Sequence, residues 1–228
     1  EEIITNICFR LRPQQYITYY QCSHFYTPRG LNITGGGGSL ATSVLETYHQ
    51  HLDDNHQIDF EQILYFSYQL LFNRATISKI LSNLFSYFFI DEYQDTKEIQ
   101  YSIVSSIMRA NPSKVRTFIV GDPNQAIYTS LGGYAISHRE LESLTAASFT
   151  PMSLDNNYRS SRKIIDYYQN YNVSPSKTSA EGAEKDYQST ITYDQVTHKD
   201  DLVEQVSRYI EYNIKNCNIS ENEICVIA

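Results

Sequence analysis

Three short stretches of this 228-residue chain carry side chains suited to chemistry. In Tyr87-Phe88-Phe89-Ile90-Asp91-Glu92-Tyr93-Gln94-Asp95-Thr96 an apolar run is followed at once by two carboxylates. At the C-terminal end of a buried strand such a pair fits the Walker B arrangement of nucleotide hydrolases, in which one carboxylate can hold Mg²⁺, directly or through water, while the next orients and deprotonates the attacking water. Strand pleating sends the two neighbours in different directions, which suits separate roles. A bare Asp-Glu pair would be an ordinary acidic turn, and the continuation Tyr-Gln-Asp-Thr narrows the reading. In Phe118-Ile119-Val120-Gly121-Asp122-Pro123-Asn124-Gln125-Ala126-Ile127-Tyr128 a second apolar strand ends in Gly, acid and amide. Gln125 can both donate and accept, so it can sense a terminal phosphate or its attacking water. In Leu154-Asp155-Asn156-Asn157-Tyr158-Arg159-Ser160-Ser161 an arginine ahead of a helix start can present its fork to phosphate oxygens, beside a tyrosine face for a base. Taken alone, Gly-Asp-Pro is a turn signal and Arg159 a surface ion-pair residue.

In this order and near these separations, the stretches resemble motifs II, III and IV of the UvrD/Rep family of superfamily 1 DNA helicases. Ile58-Asp59-Phe60, 32 residues ahead of Asp91, is similar to the Leu-Asp-Phe-Asp-Asp stretch that family places there. The likeness runs from about Ser43 to Ser161 and more loosely to Ala228, where Glu223-Ile224-Cys225-Val226-Ile227-Ala228 resembles the strand before the family's inserted 2B domain. The resemblance implies ATP and Mg²⁺ as cofactors, single-stranded DNA and its junctions as partner, and movement with 3′ to 5′ polarity. It makes Asp91 the metal-binding acid and Glu92 the catalytic base. Gln125 becomes the glutamine coupling the γ-phosphate to DNA, Tyr158 the residue stacking on adenine, Arg159 the arginine finger, and Tyr128 a position close to single-stranded DNA.

Two departures qualify that likeness. After the tyrosine of motif III the family continues with a basic residue, Trp, Arg, Gly and Ala, whereas this chain has Thr129-Ser130-Leu131-Gly132-Gly133 and contains no Trp at all. Base stacking on an aromatic face is worth roughly 1–3 kcal/mol, so the grip on single strands at this place is expected to be weaker or organised differently. The 228 residues also contain no G-x-x-x-x-G-K-[ST] phosphate loop, and none of the nine glycines is followed by Lys. With Glu1-Glu2 at the start in place of Met, the chain reads as a slice of a larger motor.

The elements that must position these residues follow from periodicity. Helices are expected over Leu40 to Leu52, from Ile58 through Leu71 with Asp59 as N-cap, over Ile77 to Phe85, Lys97 to Met108, Ser137 to Leu144, Ser160 to Tyr171 with Ser160 or Ser161 capping, and Lys199 to Lys215 with Leu202, Val206, Tyr209, Ile210 and Ile214 inward. Strands are expected at Tyr87 to Ile90, Val115 to Val120, Ser148 to Leu154, Thr190 to Val196 and Ile224 to Ala228, the first two buried on both faces. Alternation of strand and helix indicates an α/β fold with a parallel sheet and flanking helices. By resemblance this is a RecA-like, P-loop NTPase-type sheet with an added helical 1B-type segment. The expected divisions are an unassigned segment over 1–34, a Gly-rich linker over 35–39 of engineered or natural origin, a helical 1B/1A segment over 40–86, the second half of RecA-like domain 1A over 87–150, and the start of domain 2A over 151–228. Asn172 to Lys185, rich in Ser, Lys and Glu, reads as a further linker or exposed loop.

Composition sets outer bounds. Net charge is −8, with segment totals of +1, −3, −2 and −4 for residues 1–34, 35–90, 91–150 and 151–228, so no segment supplies a broad basic face and DNA contact must be local. Mean hydropathy is −0.42 and no apolar run approaches the ~18 residues of a membrane span, so no membrane partner is expected. Four cysteines without a C-x-x-C pair favour a reducing cytoplasm over a disulfide framework, and zinc is a remote option. The leading functional expectation is an ATP-dependent DNA helicase or translocase whose isolated 228-residue piece is inactive. Two others stand beside it: a UvrD-like partner of a nuclease in an anti-phage system of the Gabija type, and a degenerate nucleotide-free scaffold for protein binding.

Overall fold

The computed structural model describes residues 22–35, 38–112, 114–174 and 176–226. They divide into two units, one running to Leu154 and including Tyr171–Lys177, the other formed by Asp155–Asn170 and the chain from Thr178 onward. Residues 1–21, Cys8 among them, and the last two positions of the strand expected to end at Ala228 lie outside the described residues.

The first unit opens with a hairpin of β1 (Cys22–Thr27) and β2 (Gly30–Gly35), antiparallel, with Phe25 opposite Asn32 and Thr27 opposite Gly30. Three helices follow: α1 (Gly38–Asp54), α2 (Phe60–Asn73) and α3 (Ala75–Leu84). Asp59 caps α2 as its sequence position predicts. Its Oδ1 accepts from Gln62 N at 2.7 Å, while Gln62 Oε1 accepts from Asp59 N at 3.3 Å, so two orphan amide donors are satisfied reciprocally. Of the Gly-rich stretch, Gly35 ends β2 and Gly38 begins α1, and Gly36 and Gly37 lie outside the described residues.

The sheet that carries the site consists of β3 (Tyr87–Ile90) and β4 (Arg116–Ile119), parallel and in register from Tyr87 opposite Arg116 to Ile90 opposite Ile119. Between them runs α4 (Glu98–Ala110), the crossover a parallel pair requires. Tyr101 of α4 is buried with Ile136 and with Leu141 of α5 (His138–Thr145), and Ile90, Tyr93, Ile119, Leu144 and Phe149 pack against this cluster. One face of the sheet therefore belongs to the core. The other does not: Tyr87, Phe89 at 75% exposure and Phe118 are open, which corrects the expectation of strands buried on both faces. A continuous apolar run records that both faces are apolar and carries no information about which is covered.

In the second unit β5 (Asn156–Asn157) pairs in parallel with β6 (Ser179–Ala180), and α6 (Arg162–Gln169) buries Ile165. The helix α7 (Leu202–Cys217) presents Val206, Ile210 and Ile214 as a half-buried stripe, whereas Leu202 and Tyr209, expected inward, are exposed. Among the described residues two expected strands are absent, and Ile224, Cys225 and Val226, the described part of a third, carry no strand either. Ser148 to Leu154 joins no ladder: Phe149 N donates to Glu142 Oε1 at 2.9 Å and Phe149 O lies 3.0 Å from His138 Nε2, with Met152 and Leu154 open to solvent and Pro151 lacking a donor. At Thr190 to Val196, Asp194 instead collects the amides of Val196 and Thr197 at 2.8 and 3.0 Å, a local turn that competes with strand pairing. Ser161 stands at the N-cap of α6 without a capping bond, because its hydroxyl is engaged by that of Ser189 at 2.6 Å.

Candidate active site

Parallel pairing brings the C-terminal ends of β3 and β4 side by side, and past those ends the backbone bonds continue from Val120 N to Ile90 O (2.9 Å) and from Tyr93 N to Val120 O (3.1 Å). Asp91 and Glu92 emerge at this edge, both exposed. Glu92 sits in the left-handed region at φ 50°, ψ 50°, a conformation a glutamate holds only when its surroundings impose it. The imposition is visible. Asp91 Oδ1 accepts from Glu92 N at 2.9 Å, and Gln94 Nε2 donates to Glu92 Oε2 at 2.7 Å.

Gln94 is the keystone, with 2% of its surface exposed. Its Oε1 accepts from Asp122 N at 3.0 Å, tying the stretch after β3 to the stretch after β4. Gly121 is required by the close approach: a Cβ there would lie 2.3 Å from Gln94 Oε1 and 2.7 Å from Tyr93 N. Asp122 then caps the 3₁₀ turn Pro123–Gln125 through Asn124 N at 2.9 Å and accepts from Gln125 Nε2 at 3.0 Å. Glu92, Gln94, Asp122 and Gln125 thus form one hydrogen-bonded chain across two strand ends. The Tyr93 phenol beside it is raised above its usual pKa by burial and by the Asp122 carboxylate. Asp95 Oδ1 is buried without a partner among the described residues.

Beyond Gln125 the chain reaches Tyr128, 48% exposed, whose carbonyl accepts from Leu131 N and Gly133 N at 2.9 Å each. This turn is strapped back to the first stretch by Tyr134 N to Thr96 O at 3.0 Å and by an antiparallel bridge between Lys97 and Gly133. Lys97 forms an ion pair with Glu61 of α2 that is largely withdrawn from solvent.

In the second unit, Asn157 Oδ1 accepts from the backbone amides of Arg159 (2.9 Å) and Ser160 (2.8 Å), a turn that presents Tyr158, at 69% exposure, and Arg159 outward. Arg159 has no carboxylate within ion-pairing distance among the described residues, unlike Arg162, which meets Asp186 at 2.9 Å. Gly182 lies under this turn, where a Cβ would be 2.2 Å from Tyr158 O. The segment expected as a linker, Asn172 to Lys185, therefore supplies a strand and a close-packed glycine behind Tyr158. Of the six site residues expected from sequence, Asp91, Glu92, Gln125 and Tyr128 stand in the first unit, the first three of them in one connected edge, and Tyr158 and Arg159 stand together in the second.

Residues 28–143 match the UvrD/REP helicase N-terminal domain. The chain belongs to the UvrD/Rep helicase family. Among curated relatives, it is 32% identical over 118 residues to the ATP-dependent DNA helicase Rep of Escherichia coli (strain K12), covering 52% of this chain and 17% of that protein. It is 31% identical over 121 residues to the ATP-dependent DNA helicase SRS2 of Saccharomyces cerevisiae, covering 53% and 10%. It is 28% identical over 139 residues to one component of the ATP-dependent helicase/nuclease of Clostridium kluyveri, covering 56% and 11%. The chain thus spans less than a fifth of the length of each of these relatives. The family match takes in the stretches after β3 and β4 and ends before Tyr158.

Two residues that position this UvrD/Rep-type edge escaped the sequence reading, Gln94 and Asp122 as a hydrogen-bond hub, and so did Gly182, which packs under the Tyr158 turn in the second unit. Gln94 lay inside a recognised motif and the signal was available, since a glutamine between two acids at a strand end has little reason to be there unless it is bonded. Gly182 gave no signal, because its necessity comes from a backbone 24 residues away.

The donor set bears on the implied cofactors. No group of three or more His, Cys, Asp or Glu side chains able to enclose a metal exists among the described residues. An exposed Asp91 fits Mg²⁺ all the same, because that ion is commonly held through one or two carboxylates plus nucleotide phosphates and water. No helix among the described residues is long and apolar enough to cross a membrane.

Proposed function

We propose that this chain is part of an ATP-dependent DNA helicase or translocase that moves on single-stranded DNA, with 3′ to 5′ polarity, and unwinds duplex ahead of it. The observation that carries this reading is the hydrogen-bonded chain from Glu92 through Gln94 and Asp122 to Gln125, which couples an acidic strand end to a glutamine sensor. ATP with Mg²⁺ supplies the hydrolysable phosphoanhydride. Asp91 would hold the ion. Glu92 would take the proton from water on Oε1, because Oε2 is engaged by Gln94. Gln125, tethered to Asp122, reports occupancy of the phosphate site toward Tyr128, which contacts DNA. Tyr158 offers its exposed ring to adenine and Arg159 its unpaired guanidinium to the terminal phosphate. In domain terms, 40–86 would be a 1B/1A segment, 87–150 the second half of a RecA-like domain 1A, and 151–228 the start of 2A.

The reading is tested in the parent protein that supplies the phosphate loop. Glu92→Gln should abolish turnover while leaving Mg·ATP affinity within about twofold, since the base acts on the chemical step. Retained turnover removes Glu92 from the role of base. A nuclease partner is a second reading, favoured by the likeness to a component of a helicase/nuclease. Co-purification of a nuclease with the parent protein would support it.

A further inference from the structure

The two faces of the N-terminal hairpin are used differently. On one, Tyr26 stacks on Tyr65 of α2 with ring centroids 4.6 Å apart and faces His49 of α1 at 6.1 Å, while Tyr26 N donates to Glu61 Oε2 at 3.3 Å. That face anchors the hairpin to the helices. Phe25, Thr27, Gly30 and Asn32 share the opposite face, since side chains alternate along a strand and Phe25 pairs with Asn32 as Thr27 pairs with Gly30. All four line a cavity of about 500 Å³ whose far wall is the turn following Tyr128, through Thr129, Gly132, Gly133 and Tyr134, within the ~300–1,000 Å³ range of small-molecule sites.

The walls bring together two aromatic rings, an amide, one arginine and one carboxylate, Glu98. Phe25 is pressed on Gly132, where an added Cβ would lie 2.7 Å from the ring, and Gly132 holds φ 96°, so no larger residue fits that turn. Tyr134 has its hydroxyl fixed to Glu140 Oε1 at 2.8 Å, which immobilises the second ring. Asn32 is exposed and offers both a donor and an acceptor to a base edge. At the mouth stands Arg29, its side chain 86% exposed and held to Glu98 only at 3.5 Å, a pairing weak enough for a phosphate to displace.

We propose that this cavity binds one nucleotide unit of single-stranded DNA, its base against Phe25 and Tyr134, its edge at Asn32 and its phosphate at Arg29. The hairpin thereby furnishes an aromatic platform beside a motif III turn that carries Ser130 and Leu131 in place of Trp and Arg. The inference rests on the DNA reading of Tyr128 and adds a separate subsite to it.

The test is photocrosslinking of the 228-residue chain to an oligothymidylate carrying 5-bromodeoxyuridine, with sites mapped by mass spectrometry, alone and with excess ATP or thymidine monophosphate. Crosslinks at Phe25 or Tyr134 that persist against the mononucleotides are expected. Crosslinks confined to Tyr128 overturn the subsite and leave the DNA reading standing; crosslinks displaced by a mononucleotide make the cavity a free-nucleotide site and overturn it too. No crosslink anywhere overturns both. In anisotropy titrations of the same oligonucleotide, Phe25→Ala should weaken binding about fivefold or more and Phe25→Tyr should restore it. Arg29→Ala should reduce the magnitude of the log–log salt slope by about 0.7, the change for one lost phosphate contact on a single strand. Unchanged affinity in Phe25→Ala, or an unchanged slope in Arg29→Ala, refutes the assignment.

Discussion

Replacing Gln94 by Leu removes both polar bonds of the residue that joins the two strand ends while keeping most of its volume. The bond to Glu92 contributes little to stability, because an exposed carboxylate regains water when its partner leaves. The bond to Asp122 is different: its N–H, at 3.0 Å from Gln94 Oε1, is only partly exposed and loses its acceptor. Leaving a buried donor unsatisfied costs about 1–3 kcal/mol. Gln94→Ala adds the lost burial of the Cγ methylene, about 0.8 kcal/mol, for a total of about 2–4 kcal/mol. Because the chain forms two units, a local probe is the right assay: hydrogen exchange by mass spectrometry in peptides spanning residues 118–128. Every 1.4 kcal/mol of local opening is a tenfold change in protection, so Gln94→Leu should exchange about 5- to 100-fold faster there, and Gln94→Ala faster still. Gln57→Leu, at an exposed position, is the control and should change nothing. Protection in Gln94→Leu equal to that of the parent sequence would refute the keystone role.

Gly182→Ala should destabilise the second unit by about 1–3 kcal/mol, since the new Cβ meets a backbone carbonyl 2.2 Å away that has no rotamer to yield; thermal unfolding followed by circular dichroism measures it. Glu140 is held below the usual 4.5 by hydrogen bonds from the Ser137 and Tyr134 hydroxyls and the Ser137 amide, so its contribution is present above 4.5 and lost as pH falls below it. Glu140→Gln should flatten the acid limb of a urea-midpoint profile taken from about pH 6 down to about pH 3. Tyr101 is raised above the usual 10.0 by burial, and its hydroxyl donates to Tyr93 O. Its contribution holds below pH 10 and declines as pH rises beyond, so Tyr101→Phe should cost about 1 kcal/mol at neutral pH yet show a shallower alkaline loss.

The parts of this molecule that sequence made legible are those where polar residues punctuate apolar runs. Asp91 and Glu92 end β3, Gly121 and Asp122 end β4, Asp59 opens α2, and in each case local chemistry and chain position agree. What escaped were features settled by partners far away along the chain. Segments 148–154 and 190–196 had the composition of strands but join no ladder, because their backbone groups are taken up elsewhere, as Phe149 N is by Glu142 and Val196 N by Asp194. The inward stripe of α7 came out with three of its five members because helical periodicity fixes spacing while the width of the covered face depends on the surface it meets.

Backbone strain at Glu92 bears on the location of the chemistry. Glu92 at positive φ costs on the order of 1 kcal/mol or more, and the bond that its exposed carboxylate receives from Gln94 recovers only part of that. The cost is offset by the bonds that the conformation permits: Tyr93 N turns back onto Val120 O, Gln94 drops into the core, and Tyr101 receives a carbonyl for its buried hydroxyl. A chain selected only for stability could place Gly or Asn at this position and keep every one of those bonds. A carboxylate there makes sense when its location serves chemistry, at the edge where a second acid, a tethered glutamine and an exposed tyrosine follow in order. The backbone geometry at Glu92 is thus an observation, separate from the motif, that supports the role proposed for Glu92.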